Sequence, residues 1–310
     1  MIVVLCSLYN SQSWIEDLSE QFNKQTLSPD VIVVRNDSVK DIETVQSLKN
    51  KLNDIKVIDI SDGKSLGAKG SFFKLLSYAN ESFSANDMYL FSDHDDIWSP
   101  KKIAIAHASF INNISSMRSW VHTHNYQPFE SASRKNQKPI KEVDDAYSGK
   151  FSLSSLMLWN PFLGCTLSFN LAAINVALKF GEDSATMHDR AILLATLLDG
   201  GLVVTEPARL VRYRQHGNNT VGLKRGFRGL IARVKSYSSG YFYQNKHQVS
   251  RCKKIIDTQR VPDSVYEEVN HVFQTVNGGL KSVPSILNLP FRKKHHSLIA
   301  TFLLVFGYHG

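Results

Sequence analysis

The chain has 310 residues, enough for a substantial core, and its 43% hydrophobic and 21% charged content is that of a soluble globular protein. Its three cysteines, Cys6, Cys165 and Cys252, are far apart with no C-x-x-C spacing, which excludes a disulfide framework and a zinc site and points to a reducing compartment. The net charge of +8 is uneven: residues 1–222 carry 22 basic and 24 acidic side chains and residues 223–310 carry 14 and 4, so a near-neutral body leads into a basic region.

The opening MIVVLCSLYN has no basic leader, and its apolar run is too short for a signal peptide or a membrane span. It reads as a first strand. Ser13 and Glu16 have capping-box spacing and predict a helix running to about Lys24. DVIVVRN is a second strand, residues 41–52 an amphipathic stretch, and IKVIDIS a third strand. Phe72, Leu75, Leu76 and Ala79 give helical spacing to the segment that starts at Gly67. DMYLFSD is a fourth strand, and SPKKIAIAHASFI a helix with Pro100 in its first turn. Strands alternating with helices of this length predict an α/β fold, a mostly parallel sheet flanked by helices. RNDS, SDGKSLG and SDHDD all fall at carboxyl ends of strands, where such sheets bind ligands.

Residues 126–150 are polar and without periodicity, and are expected to form a surface loop over the site. LWNPFLGCTLSFN, a helix over residues 184–198, a short strand GLVV and the segment ARLVRYRQHGNNTVG follow. Two regions are expected: 1–222 as the catalytic body, and 223–310 as a basic, helical C-terminal extension that closes on the apolar SLIATFLLVFGY.

Asp93, His94, Asp95 and Asp96 crowd three carboxylates at a strand end. Carboxylates at i and i+2 project to one side, and hard oxygen ligands of that kind suit Mg²⁺ or Mn²⁺ and, through the ion, a diphosphate. A helix cap needs only one acid there. Asn36, Asp37 and Asp41 follow the second strand; they suit either a polar turn or a carboxylate accepting a pyrimidine N3–H. KSLGAKGSFF lacks the spacing of a phosphate-binding loop, yet Lys69 at the start of its helix can face a phosphate. His188 and Asp189 open an apolar helix, where Asp189 is either a residue stabilised by the helix dipole or a general base. Arg212, Arg214, His216 and Asn218 surround a glycine; the arginines suit phosphates and His216 suits a metal, or the loop is simply solvated.

In this order NDSVKD, SDHDDIW, GCTLSFN, HD and YRQHGNNTVG resemble bacterial glycosyltransferase family 2, above all its rhamnosyltransferase-like branch, whose acidic motif commonly reads S-D-Q-D-D-I-W. The resemblance covers residues 1–222 and implies a GT-A fold, a Rossmann-like sheet that binds a nucleotide-sugar. It implies that Asp37 contacts the base with Asn36 beside it, that Asp93 lies near ribose and metal, and that Asp95 is the main metal ligand. It further implies His216 near the metal, Asp189 as the base of an inverting transfer, and Gly164 and Cys165 on the acceptor side. Three positions depart from the pattern. His94 replaces Gln, Asn36 replaces a frequent Asp, and Arg190 stands on the acceptor side where an aromatic often follows HD.

The expected activity is metal-dependent transfer of a sugar, rhamnose on the branch resemblance, from a nucleotide-diphosphate donor to a saccharide or lipid-linked acceptor in surface polysaccharide or lipopolysaccharide synthesis. A sugar-nucleotide pyrophosphorylase is an alternative, but CSLYNSQSW is neither Gly-rich nor basic after the first strand. A nucleic-acid-binding protein using the basic region is another, but no helix-turn-helix, zinc or RNP-like motif accompanies that region, so no nucleic-acid partner is expected. PFRKKHHSLIATFLLVFGY pairs basic residues with a stretch too short to span a bilayer, which suits either an anionic membrane surface or packing on the body. A cytoplasmic enzyme, peripheral on the inner face of the plasma membrane, follows from the first of these.

Overall fold

The computed structural model describes residues 1–39, 43–113, 118–133, 136–139, 152–184, 186–215 and 242–289. Asp41, His216 and the closing basic-apolar segment from residue 290 onward lie outside them.

Strand β1 (Ile2–Leu8) runs parallel to β2 (Val31–Asn36) on one side and to β4 (Met88–Asp93) on the other, and β3 (Lys56–Asp59) continues beyond β2. Helices α1 (Ile15–Asn23), α2 (Glu43–Lys51) and α3 (Gly67–Ser82) make the crossovers. The anticipated capping box is not what starts α1. A single 3₁₀ turn, Gln12–Trp14, leads into it, and the N-cap is Trp14 with no side-chain cap bond. Glu16 instead pairs with Lys51 at 2.6 Å, joining α1 to α2.

The parallel strands alternate strictly between two cores, because successive side chains point to opposite faces. Val3, Leu5, Val31, Val33, Tyr89 and Phe91 face one layer; Val4, Cys6, Leu8, Ile32, Val34 and Leu90 face the other. The second layer is closed by α1, α2 and α4 (Lys102–Asn113). The first is closed by α3, α5 (Leu153–Leu158), α6 (Leu171–Phe180) and α7 (His188–Leu198). Two helices beyond the expected boundary near residue 222 join that same layer: α8 (Phe242–Thr258) through Val249, Cys252 and Ile256, and α9 (Asp263–Asn277) through Val269, Val272 and Val276. A short α10 (Val283–Asn288) ends the described chain. Among the described residues no helix is long and apolar enough to cross a membrane.

The rest of the sheet departs from the sequence expectation. A fourteen-residue strand, β6 (Trp120–Ser133), and β7 (Asn136–Pro139) occupy part of the segment expected as a loop. The pattern is hidden because His122, Thr123, His124 and Asn125 are buried, so no polar-apolar alternation marks the strand. β8 (Ser168–Asn170) lies antiparallel between β4 and β6, and β9 (Leu202–Gln215) runs parallel to β6, far longer than the GLVV strand expected. The two-residue β5 (Ile97–Trp98) pairs antiparallel with β9 at Arg212 and Val211. The strand order is β3-β2-β1-β4-β8-β6-β9-β5. This order pins the acidic segment 93–96 at both ends, between β4 and β5.

Candidate active site

At the carboxyl edge of the sheet Ser7 is in register with both Arg35 and Asp93, so the first, second and fourth strands deliver their ends to one crevice. Asp93 is partly exposed, Asp95 is 8% exposed and Asp96 is fully buried. A turn at Gly164–Thr166 brings in Cys165, and ligand atoms of Asp93, Asp96 and Cys165 all lie within 4.8 Å of one another. Asp96 Oδ1 accepts the Arg214 backbone N–H at 3.1 Å, while its Oδ2 is buried with no hydrogen-bond partner among the described residues. Burial first, then the neighbouring Asp95 and Asp189 charges, push the Asp93 carboxyl up to about 7. Burial and the charges of Asp95 and Asp93 also push Asp96 well above the carboxylate range, and burial raises the Cys165 thiol. Crowded oxygens that resist ionisation, one of them unpartnered, are the electrostatic signature of a site suited to a divalent cation. Cys165 enters this cluster only in three dimensions; the sequence placed Asp93, Asp95 and Asp96 together at the strand end and favoured Asp93 and Asp95 as the metal ligands.

Behind the acids lies a buried polar layer for which the sequence offers no signal, since it depends on the unrecognised strand β6. Lys102 Nζ sits 3.4 Å from the centroid of the Trp98 ring and has no hydrogen-bond partner among the described residues. Burial pushes this ammonium down to about 7, opposed by Cys165 and Asp96. His122 is pushed down to about 4 by burial and by the Lys102 charge, and His124 is lowered for the same reasons.

Asp37 lies at the end of β2, 3% exposed, and both of its oxygens are engaged. Oδ1 accepts from Leu66 N at 2.7 Å and from Arg35; Oδ2 accepts from Gly67 N at 2.8 Å and Ser65 Oγ at 3.0 Å. Gly67 has φ of +70°, a left-handed backbone that favours glycine where the loop turns into α3. Arg35 also holds Asp62 at 2.8 Å and the Lys64 carbonyl at 2.7 Å. Asn36 Oδ1 caps Ser38 N at 3.0 Å. The residues expected to read a base thus shape the loop over residues 61–67 beside the crevice.

Asp189 opens α7. Its Oδ1 accepts the Arg190 backbone N–H at 2.6 Å, and the Asn160 side chain bonds it as well. Burial nevertheless raises it to about 6, against the lowering effect of those bonds. The Asp189 charge acts on Asp93, so base candidate and acid cluster share one electrostatic environment. Next to it, His188 is 4% exposed, stacked on Phe72 at 3.9 Å and edge-on to Phe91 at 5.0 Å. A side chain at Gly164 would put Cβ 2.5 Å from His188 Nε2, so this close approach favours glycine there.

Arg190, expected on the acceptor side, is instead turned into the core. It is 2% exposed and donates from Nε to Leu156 O at 2.9 Å, from Nη2 to Met157 O at 2.6 Å and from Nη1 to Asn245 Oδ1 at 2.9 Å. It ties α5, α7 and α8 together. Arg214, expected on phosphates, is likewise buried, with Nη2 2.8 Å from Asp17 Oδ2 and Nε 2.7 Å from the Asp95 carbonyl. Arg212 is exposed and lies over the Phe129 ring at 4.6 Å. Lys69 lines a cleft with Asp183 and Gln248. The structure brings Asp93, Asp95, Asp96, Cys165 and Asp189 into one neighbourhood, and leaves His216 outside the described residues.

By sequence the chain matches no family model and no curated protein. Solved structures do match. S. aureus TarS 1–349 in complex with UDP-GlcNAc aligns at TM-score 0.59 and 12% identity over 93% of this chain and 81% of that one. The same fragment in complex with UDP aligns at 0.52 and 14% over 97% and 87%. The mannosyltransferase PcManGT from Pyrobaculum calidifontis, in complex with GDP-Man and Mn²⁺, aligns at 0.54 and 12% over 97% and 86%. The fold of this chain is therefore the GT-A type of these glycosyltransferases.

Proposed function

We propose that this chain is an inverting, divalent-metal-dependent glycosyltransferase that moves a sugar from a nucleoside-diphosphate donor to a hydroxyl of a saccharide or lipid-linked acceptor. The observation that carries this reading is the crowding of Asp93 and Asp96 with Cys165 at the switch point of the sheet, in electrostatic contact with Asp189. Acids for a cation and a separate base held near neutrality are what glycosyl transfer needs.

In this reading Asp93 and Asp95 hold the ion, with Asp96 and Cys165 at hand and His216 as a further ligand by resemblance. Bound there, Mn²⁺ or Mg²⁺ supplies offset for the charge that grows on the departing diphosphate. Asp189 takes the proton of the acceptor hydroxyl as that oxygen bonds to the anomeric carbon. The bond from that carbon to the diphosphate oxygen breaks on the opposite face, so the configuration inverts. Asp37 and Arg35 hold the 61–67 loop where the base and ribose of the donor would pack.

SDHDDIW supports a rhamnosyl donor, and the UDP-GlcNAc and GDP-Man held by the structural neighbours fit the broader class. A role in bacterial surface polysaccharide synthesis, and peripheral placement on a membrane through the basic region after residue 290, complete the proposal. A thermal-shift screen of UDP-, GDP- and dTDP-sugars with and without Mn²⁺ tests it. A metal-dependent rise in Tm with one donor, abolished by Asp95→Ala, is expected; no response to any donor in Mn²⁺ would sink the reading.

A further inference from the structure

Between α3 and α8 a cleft of about 290 Å³ opens beside the segment that leads into the base helix. It is lined by Lys69 of α3, by Asp183 and Thr186 before α7, and by Gln244, His247 and Gln248 of α8. Thr186 precedes Asp189, the proposed base, by three residues, so the cleft approaches that carboxylate along the chain. Gln248 is 1% exposed; its Nε2 donates to the Ser184 carbonyl at 2.5 Å, and its Oε1 is buried with no partner among the described residues.

We infer that this cleft is the acceptor subsite and that it takes a neutral, hydroxyl-rich sugar unit. Its lining has the chemistry of hydroxyl recognition: two amides, a carboxylate and an alcohol, each able to accept or exchange a hydrogen bond with a sugar hydroxyl. Lys69 and His247 alone would suit a phosphate, but Asp183 on the same surface repels an anion. The volume, at the low end of the roughly 300–1,000 Å³ of small-molecule sites, fits a sugar unit and not a whole nucleotide-sugar. The site exists only because α8 packs against α7, where Asn245 bonds Arg190 and Gln248 bonds the lead-in segment. The C-terminal region therefore supplies acceptor specificity as well as basic charge. This inference rests on the glycosyltransferase reading for its role, and on the cleft alone for its ligand.

The test uses the full chain with ¹³C-labelled histidine, the His247 signal being assigned by comparison with His247→Gln. Methyl α-D-mannopyranoside, methyl β-D-glucopyranoside, methyl α-L-rhamnopyranoside and inorganic phosphate are titrated separately, and UDP or GDP with Mn²⁺ is titrated in parallel. A saturable shift of His247 by at least one pyranoside and not by phosphate is expected. Asp183→Asn and Gln244→Ala, both at exposed positions, should each weaken that pyranoside at least fivefold while leaving the nucleotide titration unchanged. A response to phosphate alone, no response to any pyranoside, or unchanged pyranoside affinity in both variants overturns the assignment. Failure of the nucleotide arm with an intact pyranoside response removes the donor reading and leaves the saccharide site standing.

Discussion

Arg214 Nη2 and Asp17 Oδ2 form a buried ion pair at 2.8 Å between residues 197 positions apart. The same guanidinium lies over the Trp14 ring at 4.4 Å and donates to the Asp95 carbonyl, and the Arg214 backbone N–H donates to Asp96. The last strand of the sheet thus bolts the acidic segment to the first helix. Arg214→Met should cost about 3–5 kcal/mol, because it removes the guanidinium that pairs with the buried Asp17 carboxylate. Arg214→Lys should recover little of this, since an ammonium cannot reproduce the fork. Urea unfolding of the three proteins measures it, and a loss below about 1 kcal/mol would show that the pair is not the anchor.

Asp189→Asn keeps the size of the side chain and its acceptance of the Arg190 N–H, while removing the ability to take a proton. Transfer should fall by about 10²–10⁴-fold, the usual worth of a positioned base. Donor affinity, read by calorimetry with Mn²⁺, should change less than threefold. A variant that retains robust transfer would place the base elsewhere.

The raised Asp189 carboxyl sets a pH dependence. The base must be ionised to act, so kcat/KM should rise about tenfold per pH unit below pH 6 and level off above it. Stability runs the other way. A carboxyl whose folded pKa lies above its unfolded value binds more protons in the folded state. Asp93 and Asp189 therefore stabilise the metal-free fold below about pH 4, and this contribution is lost as pH rises through about 6 to 7. Chemical denaturation from pH 4 to 8, without and with Mn²⁺, should give a decline that the ion suppresses.

Gly164→Ala forces Cβ against His188 Nε2, and overpacking of this kind costs about 1–3 kcal/mol. In a His188→Ala background the same substitution should cost almost nothing, giving a coupling energy of about 1–3 kcal/mol in a double-mutant cycle. Additive losses would mean that backbone placement, not the histidine, excludes a side chain at residue 164.

Much of the first hundred residues was legible without coordinates. The short apolar runs of Ile2–Leu8 and its partners, the helical spacing after Gly67 and the acids at strand ends are properties of consecutive residues, and short-range sterics act on consecutive residues. The capping box failed because Trp14, not Ser13, ends the preceding turn. The strand β6 was hidden by its buried His122, Thr123, His124 and Asn125, whose partners come from other parts of the chain.

The sequence by itself determined the parallel sheet, its two helical layers and the acidic residues at its carboxyl edge, because each follows from local pattern and charge. Only the tertiary structure decided that Cys165 joins Asp93 and Asp96, that Arg190 and Arg214 serve as buried ties, and that α8 lines a cleft beside the segment leading into α7. Those relationships join residues from distant parts of the chain. They depend on which elements the closing of two cores brings into contact, and no window of neighbouring residues contains that information.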